Sequence, residues 1–345
     1  MAADSNVSAK KRPQRSTKSR RPAGAPLVDS VVAPAPFVCP VPPSYRGDVL
    51  IWDLDRTYLD TRTDTLRDLL KTAFQKARDK LDYPGVATLL RALRRGPDGQ
   101  LCPTYFVTAS PPQLADVIAE KLAMDGVQFD GMYFKDNLRN LRPGRFDRLR
   151  EQMGYKLLAL LHLRQNLPHG AVEMMFGDDS ESDPQIYSLY GEILSGRIAR
   201  NRLVARLAAL GAFRDEAVRV AWRARHLAGR PAAGRIFIQT LRARDPASLR
   251  SIDPRIVPTR NYLQTALALH ADQRIAIETV AAIAEEVASR ARLGSEEVAA
   301  IVADFTARGL VTAELAVQVA ERLIGFGILA AESSEYILHT IVSSQ

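Results

Sequence analysis

The sequence is poor in the residues on which several common classes of protein depend. Its 345 residues include only two cysteines, Cys39 and Cys102, without the spacing of a metal site. It therefore has no disulfide framework, and we expect a reducing compartment. The five histidines are scattered and form no metal-ligand pattern. No run reaches the ~20 apolar residues of a membrane span. The basic N-terminus is not followed by the apolar segment of a secretory signal, so we expect a cytoplasmic protein.

Positive charge is concentrated near the N-terminus. The net charge is +8, and residues 1–47 hold eight Lys and Arg against two Asp, together with eight of the twenty prolines. This composition predicts a disordered, basic, Pro-rich tail over residues 1–46. Such a tail can contact an anionic membrane surface, at ~1 kcal/mol per charge, which would make the protein peripheral at a membrane. A merely solubilising extension fits the same composition, and we do not expect nucleic acid as a partner.

The most informative segment is a short apolar run that ends in acids, V-L-I-W-D-L-D-R-T at residues 49–57. A buried parallel strand reads as a continuous apolar run, and ligands of open α/β sheets bind beyond the carboxyl ends of the strands. Asp53 and Asp55 at such a strand end indicate a hard cation such as Mg²⁺, an acid/base pair, or both. A polar corner between strand and loop would show the same pattern.

Three further segments follow in an order that makes a coincidence improbable. A second apolar strand at 103–107 leads into Thr108 and Ser110, and Lys156 lies in a Leu-rich helical stretch. A third apolar strand at 172–176 leads into G-D-D-S-E-S-D at 177–183. These segments supply acids, hydroxyls and a lysine to the same edge of a parallel sheet.

These residue types suit phosphoryl transfer through an aspartyl intermediate. A carboxylate nucleophile divides one hard step into two easier ones. A second carboxylate can protonate the leaving group and then activate water. A hydroxyl, a lysine and a Mg²⁺ ion can offset the charge of the phosphoryl oxygens. Hydrolysis of phosphomonoesters can demand acceleration of up to ~10²¹-fold, which explains why four separate segments must converge.

The four segments resemble the signature of the haloacid dehalogenase superfamily, D-x-D-x-T, Thr/Ser, Lys and G-D-x-x-x-x-D. Residues 106–114, F-V-T-A-S-P-P-Q-L, and 177–187, G-D-D-S-E-S-D-P-Q-I-Y, are similar to one branch of it. That branch is the catalytic domain of the actin-patch-protein type of phosphatidate phosphatase. The resemblance covers residues 47–245.

The resemblance implies a role for each residue that matches a motif. Asp53 would be the nucleophile and Asp55 the general acid/base. Thr108 would be the phosphate-binding hydroxyl, supported by Ser110, and Lys156 the lysine of the third motif.

The resemblance also implies a Mg²⁺ site. Asp53, Asp178 and the backbone carbonyl of Asp55 would bind the metal, and Asp183 would support them. Asp179 replaces the usual serine of this branch and is either a further ligand or a loop acid. Three other positions depart from the usual pattern, namely Arg56, Tyr155 and Ser180.

We predict an α/β fold, a Rossmann-like parallel sheet with helices on both faces, a minimal cap and a helical C-terminal region. The predicted phosphatase domain spans 47–245, with a helical insert at about 198–232, and a helical subdomain spans 246–345. Predicted strands are 48–57, 104–107, 132–134, 172–176 and 235–241. Predicted helices are 62–80, 86–95, 112–125, 144–165, 184–194, and four or five within 258–345.

The predicted insert is rich in arginine. Its arginines would face either phosphate-rich partners or solvent. They are Arg197, Arg200, Arg202, Arg206, Arg214, Arg219, Arg223, Arg225 and Arg230.

Together these features predict a Mg²⁺-dependent phosphomonoester hydrolase that acts through an aspartyl-phosphate. A phosphatidate-like lipid is the substrate that the resemblance implies. Two alternatives stay open: a phosphatase of a soluble phosphometabolite or phosphoprotein, and a degenerate phosphatase fold that serves as a binding or scaffold module.

Overall fold

A computed structural model describes residues 31–32, 37, 39–61, 81–135, 152–227, 229–230, 232–242 and 245–343. The strands are β1 (Val31–Val32), β2 (Asp48–Trp52), β3 (Thr104–Val107), β4 (Gly131–Lys135), β5 (Val172–Asp178), β6 (Ala233–Gln239) and β7 (Ile256–Thr259). The helices of the first half are α1 (Val86–Arg95), α2 (Ala115–Met124), α3 (Met153–Asn166), α4 (Asp183–Leu194), α5 (Arg200–Ala209) and α6 (Arg214–Ala224). Those that follow are α7 (Pro246–Ile252), α8 (Tyr262–Ala271), α9 (Ile277–Ala291), α10 (Ser295–Ala307), α11 (Ala313–Gly325) and α12 (Ser333–Ser343).

The strands form one sheet in the order β1-β4-β3-β2-β5-β6-β7. Of the described strands, the six from β2 to β7 run parallel, and β1 pairs antiparallel with β4. From β2 the chain proceeds outward to β3 and β4, then crosses to β5 on the other side of β2 and continues to β7. The strand order therefore reverses between β2 and β5, and such a switch point opens a crevice at the carboxyl ends of the two strands.

Side chains alternate between two apolar cores, one on each face of the sheet. Val49 and Ile51 enter one core, which we call the Ile51 face and which packs against α3 to α6. Leu50 and Trp52 enter the other, the Trp52 face, which packs against α1, α2 and the C-terminal helices. The rings of Trp52, Phe176 and Phe237 stack across β2, β5 and β6, with centroid separations of 3.9 and 5.1 Å. The predicted Rossmann-like α/β fold with helices on both faces is confirmed.

The sheet continues past residue 245, the predicted end of the phosphatase domain. Residues 256–259 were predicted to lie at the start of a helical region, but they form β7, which pairs with β6. Pro258 lies within this strand and weakens any strand signal, because proline cannot donate to a ladder. A strand at the edge of the sheet tolerates it, since one side of β7 has no neighbour among the described strands.

The five helices after β7 cover the Trp52 face. Leu263 and Leu267 of α8 pack in the same core as Trp52, and Val280 and Ile283 of α9 extend that core towards α1. This arrangement confirms the predicted helical C-terminal region and its apolar spacing. These helices are a layer over one face of the sheet, and they share its core.

Two predictions concern segments that the structure describes in part. The predicted disordered tail includes residues that pack on the sheet: β1 pairs with β4, and the Phe37 ring stacks on Tyr105 at 5.5 Å. Tyr45 is likewise buried. These apolar residues lie among the prolines that had suggested disorder.

The predicted helix at 62–80, on which the minimal cap depends, lies outside the described residues. Among the described residues, no helix is long and apolar enough to span a bilayer.

Candidate active site

Asp53 and Lys156 form a buried ion pair at the switch point between β2 and β5. Asp53 follows the last residue of β2, and its backbone N–H donates to the carbonyl of Phe176 at 2.9 Å, which fixes it against β5. Lys156, on the first turn of α3, places Nζ 2.9 Å from Asp53 Oδ1 and 2.6 Å from Asp183 Oδ1. All three side chains are at most 1% exposed. Two motifs more than a hundred residues apart thus meet at one carboxylate, as predicted from strand order.

The loop after Asp53 is held by contacts on both sides. The hydroxyl of Thr57 donates to Asp53 Oδ2 at 3.3 Å, so Lys156 and Thr57 contact different oxygens of the same carboxylate. Arg56 has a φ of 59°, a left-handed conformation that is uncommon for a residue with a side chain. Tyr262 of α8 donates its hydroxyl to the Thr57 carbonyl at 2.6 Å, and its ring lies 6.2 Å from that of Trp52. A C-terminal helix therefore supports the loop that carries the acids.

Asp55 lies opposite the end of β3. Its Oδ2 accepts hydrogen bonds from Ser110 Oγ at 2.7 Å and Thr108 Oγ1 at 3.1 Å, and its Oδ1 accepts one from Thr61 Oγ1 at 3.3 Å. The Thr108 hydroxyl also accepts from the Ser110 backbone N–H at 3.0 Å. The structure thus brings the first and second motifs together, because the hydroxyls of Thr108 and Ser110 both donate hydrogen bonds to Asp55.

Tyr155 stands where the family that the motifs resemble often has a histidine. Its hydroxyl bridges the ends of two strands. Its hydroxyl lies 2.7 Å from the carbonyl of Thr108 and 2.8 Å from that of Tyr133. The side chain is fully buried beside Lys156. It therefore fixes the ends of β3 and β4 relative to the first turn of α3.

Three carboxylates form a group that could hold a metal ion. Oxygen atoms of Asp53, Asp178 and Glu181 all lie within 4.8 Å of one another. Asp178 Oδ1 accepts from the backbone and side chain of Ser180, whereas its buried Oδ2 has no hydrogen-bond partner among the described residues. A buried carboxylate oxygen without a donor is costly, and a cation would satisfy it. An all-oxygen donor set of this kind suits a hard divalent cation.

Asp183 and Gly177 explain the form of the fourth motif. Asp183 begins α4 and turns back so that Oδ1 meets Lys156 and Oδ2 lies 3.4 Å from the backbone nitrogen of Asp178. A Cβ atom at Gly177 would overlap the Asp183 side chain, so only glycine allows this approach. Asp183 therefore contacts both Lys156 and the backbone of Asp178, the residue that it was predicted to support as a metal ligand.

Asp179 turns away from the carboxylate group. Its Oδ1 accepts from the backbone N–H groups of Leu241 and Arg242, at 2.7 and 3.0 Å, and its side chain is fully buried. It does not belong to the group of acids that could share a metal. Of the two roles left open by the sequence, this geometry favours the loop acid, which fixes the segment that follows β6.

Burial dominates the electrostatics of the site. It raises the pKa of Asp53 well above its usual range, although Lys156 opposes the shift. It raises the pKa of Asp178 to about 7, with further contributions from Asp183 and Glu181. Burial alone would lower the pKa of Lys156, but the three neighbouring carboxylates outweigh it and raise that pKa. The site thus holds more carboxyl groups than one lysine can keep ionised.

Burial also raises the pKa of Asp55, while the hydrogen bonds from Ser110 and Thr108 lower it. A carboxyl group with a raised pKa can carry a proton at a higher pH than an exposed one. This property suits a group that must alternate between acid and base.

Sequence reasoning missed two residues of the site. Glu181 occupies a variable position of the fourth motif, and only its acidic character hinted at a role. Tyr262 lies 205 positions from its partner Thr57, in a helix without any motif, and no local signal could have found it.

A comparison with known protein families identifies a similar domain. Residues 49–200 are similar to the phosphatidate phosphatase APP1 catalytic domain. This finding confirms the resemblance carried by the motifs and supports a phosphatase activity for the segment that contains the site. No curated protein and no solved structure matches the chain. Strands β6 and β7, helices α6 to α12 and nearly all of α5 lie outside the matched residues.

Proposed function

We propose that the protein hydrolyses phosphomonoesters through a phosphorylated Asp53, as enzymes of the haloacid dehalogenase type do. The observation that carries the proposal is the position of the Asp53 carboxylate. It is held by Lys156 and Thr57 and lies within the acidic group, with Asp55 two residues further on. A purely structural salt bridge would need neither Asp55 nor the two hydroxyls that fix it.

In the first step a carboxylate oxygen of Asp53 attacks the phosphorus atom. The bond between phosphorus and the leaving-group oxygen breaks, and the protonated Asp55 donates its proton to that oxygen. In the second step Asp55 takes a proton from water while the water oxygen attacks the phosphorus of the acyl-phosphate. The bond to Asp53 then breaks, which releases phosphate and restores the carboxylate.

Lys156 holds positive charge beside the reacting carboxylate throughout. Its three carboxylate neighbours keep it protonated, and its rigid attachment to α3 means that little reorganisation is needed as charge develops. Thr108 and Ser110 orient Asp55 through their hydroxyls and would be free to contact a phosphoryl oxygen when Asp55 is protonated.

Asp53, Asp178 and Glu181 would hold Mg²⁺, with the carbonyl of Asp55 as a further ligand. The bound cation would offset the repulsion between an anionic nucleophile and an anionic phosphoryl group. The raised pKa values of Asp53 and Asp178 support this assignment, because a divalent cation would stabilise both groups in the ionised form that the chemistry requires.

We propose a phosphatidate-like lipid as the substrate and a location in the cytoplasm, peripheral at a membrane. The similarity of residues 49–200 to a phosphatidate phosphatase domain supports this choice. A soluble phosphomonoester would undergo the same chemistry.

Phosphate release from phosphatidate in mixed micelles, and from a panel of soluble phosphomonoesters, tests the proposal. We expect turnover with Mg²⁺ and none with excess chelator. Asp53→Asn keeps the size of the side chain and should abolish turnover, whereas Asp98→Asn, at an exposed position, should not change it. Release that persists in Asp53→Asn would reject the proposed nucleophile.

A further inference from the structure

Helices α5 and α6 with their flanking turns form a strongly basic surface, which we call the arginine hairpin (residues 197–230). It contains nine arginines against two acidic residues, Asp215 and Glu216. Asp215 pairs with Arg219 at 2.8 Å, Glu216 is buried, and Glu192 of α4 pairs with Arg206 at 2.6 Å, so arginines still outnumber acids at this surface. Such a concentration of one charge on two adjacent helices requires an anionic partner or solvent.

One face of α6 combines these arginines with apolar side chains. Arg214, Val218, Trp222 and Arg225 follow one another at i, i+4, i+8 and i+11, which places them within about 80° of one another around the helix. Val218 is 44% exposed, and Trp222 is half-buried. The opposite face is buried in the core of the Ile51 face. A solvated face would not need an exposed valine and a tryptophan between arginines.

The Trp222 ring is held in place by its basic neighbour. The guanidinium of Arg225 lies 4.7 Å from the ring centre. Leu210, in the turn before α6, is 39% exposed and adds apolar surface at the tip of the hairpin. Tryptophan favours the boundary between lipid head groups and acyl chains, and arginine favours the phosphates above it. The face of α6 that carries Trp222 and Arg225 therefore presents an aromatic ring and a guanidinium group, both of which bind the surface of an anionic bilayer.

The hairpin lies next to the candidate active site. A Cβ atom at Gly154 would overlap the Glu216 side chain, so the first turns of α3 and α6 are in contact. That turn of α3 also carries Lys156, which contacts Asp53. The base of the hairpin therefore packs against the helix that holds Lys156 beside Asp53.

We propose that the arginine hairpin docks the protein on an anionic phospholipid bilayer, with the Trp222 ring at the boundary between head groups and acyl chains. The choice of a bilayer over another polyanion rests on the proposed function. The surface itself is built from residues 201–230, which lie outside the matched domain, and from the few residues before them.

Tryptophan fluorescence can test the docking surface directly. The chain has two tryptophans, and Trp52 is fully buried, so Trp222 should account for any response at the surface. Vesicles of phosphatidylcholine with one third phosphatidylserine should shift the emission to shorter wavelength, and lipids brominated high on the acyl chain should quench it. Vesicles of phosphatidylcholine alone should do neither. The variant Trp222→Phe should lose the response and keep its fold.

Substitution of arginines tests the contribution of charge, and two distant arginines provide a matched control. Arg214→Gln with Arg225→Gln should weaken partitioning onto anionic vesicles about 30-fold, at ~1 kcal/mol per charge. Arg95→Gln with Arg322→Gln removes two exposed charges from helices α1 and α11, which cover the Trp52 face, and should change partitioning far less. Neither pair should alter turnover of a soluble phosphomonoester, so the proposed function and the docking surface are tested separately.

Three results would overturn the proposal. The first is vesicle binding without any change in Trp222 emission, which would place the contact elsewhere, for example in the basic N-terminus. The second is an equal loss of partitioning in both double variants. The third is an emission change with a single-stranded oligonucleotide but not with vesicles, which would assign the hairpin to nucleic acid.

Discussion

Replacing Lys156 with glutamine should destabilise the protein strongly as well as abolish turnover. The ammonium group lies 2.9 Å from Asp53 and 2.6 Å from Asp183, and the three side chains are at most 1% exposed. Removing one partner from a buried ion pair leaves an uncompensated charge and costs ~3–5 kcal/mol. A domain has only ~5–15 kcal/mol of unfolding free energy in total, so the loss should be visible as a large shift of the urea midpoint.

The cost should depend on pH in a defined direction. Without Lys156 the pKa values of Asp53 and Asp183 rise further, so both acids can escape the penalty by binding protons. The destabilisation should therefore be smallest in acid and grow as the pH increases. Asp183→Asn in the Lys156→Gln background removes one of the carboxylates that lose their partner and should restore part of the lost stability. Urea unfolding of the single and double variants in chelator measures this coupling.

A second buried lysine provides a control for the interpretation. Lys121 pairs with Asp82 at 3.1 Å and also with Asp125, away from the acidic group of the site. Lys121→Gln should therefore destabilise the protein and yet preserve the turnover per folded molecule. A loss of less than 1 kcal/mol in Lys156→Gln, unchanged by Asp183→Asn, would refute the reasoning, because it would mean that the ion pair is not buried as described.

Three further predictions follow from the same structure. Asp178→Ala should remove Mg²⁺ binding and turnover together, whereas Asp179→Ala should reduce the unfolding free energy with a milder effect on turnover; equal loss of metal affinity in both variants, measured by calorimetry, would make Asp179 a ligand. Burial raises the pKa of Glu173 from its ordinary value of 4.5 to about 7, so this group contributes stability that is complete below pH 4.5 and is lost as the pH rises through 7; Glu173→Gln should remove up to ~3 kcal/mol of this pH dependence from unfolding curves, and an unchanged dependence would contradict the assignment. Deleting residues 1–30 removes seven Lys and Arg and no motif, so turnover of a soluble phosphomonoester should stay unchanged while salt-sensitive binding to anionic vesicles falls; equal binding would exclude the tail as an anchor.

The sequence predicted those parts of the fold that depend on local pattern. The apolar runs that end at Asp53, Thr108 and Asp178 are buried parallel strands, and such strands must place their carboxyl ends at one edge of a sheet. The motif order therefore predicted which side chains meet. It could not predict β7, because Pro258 weakens the strand pattern and pairing with β6 supplies the missing stabilisation.

The details of the site depended on contacts that no local pattern encodes. Asp179 follows Asp178 directly, yet it turns to the backbone after β6, because Leu241 and Arg242 offer two N–H groups there. Glu181 reaches the acids through the turn that begins α4. Tyr262 reaches Thr57 only because α8 covers the Trp52 face. Each of these contacts depends on packing between distant segments.

The measurement that tests the central claim most directly is chemical trapping of the phosphorylated enzyme. The protein is mixed with a radiolabelled phosphomonoester in Mg²⁺, quenched in acid within one turnover, and digested for peptide mapping. We expect the label as an acyl-phosphate on Asp53, absent from Asp53→Asn and from samples quenched after chelation of the metal. Turnover without label on the protein, or with label on another residue, would contradict the account.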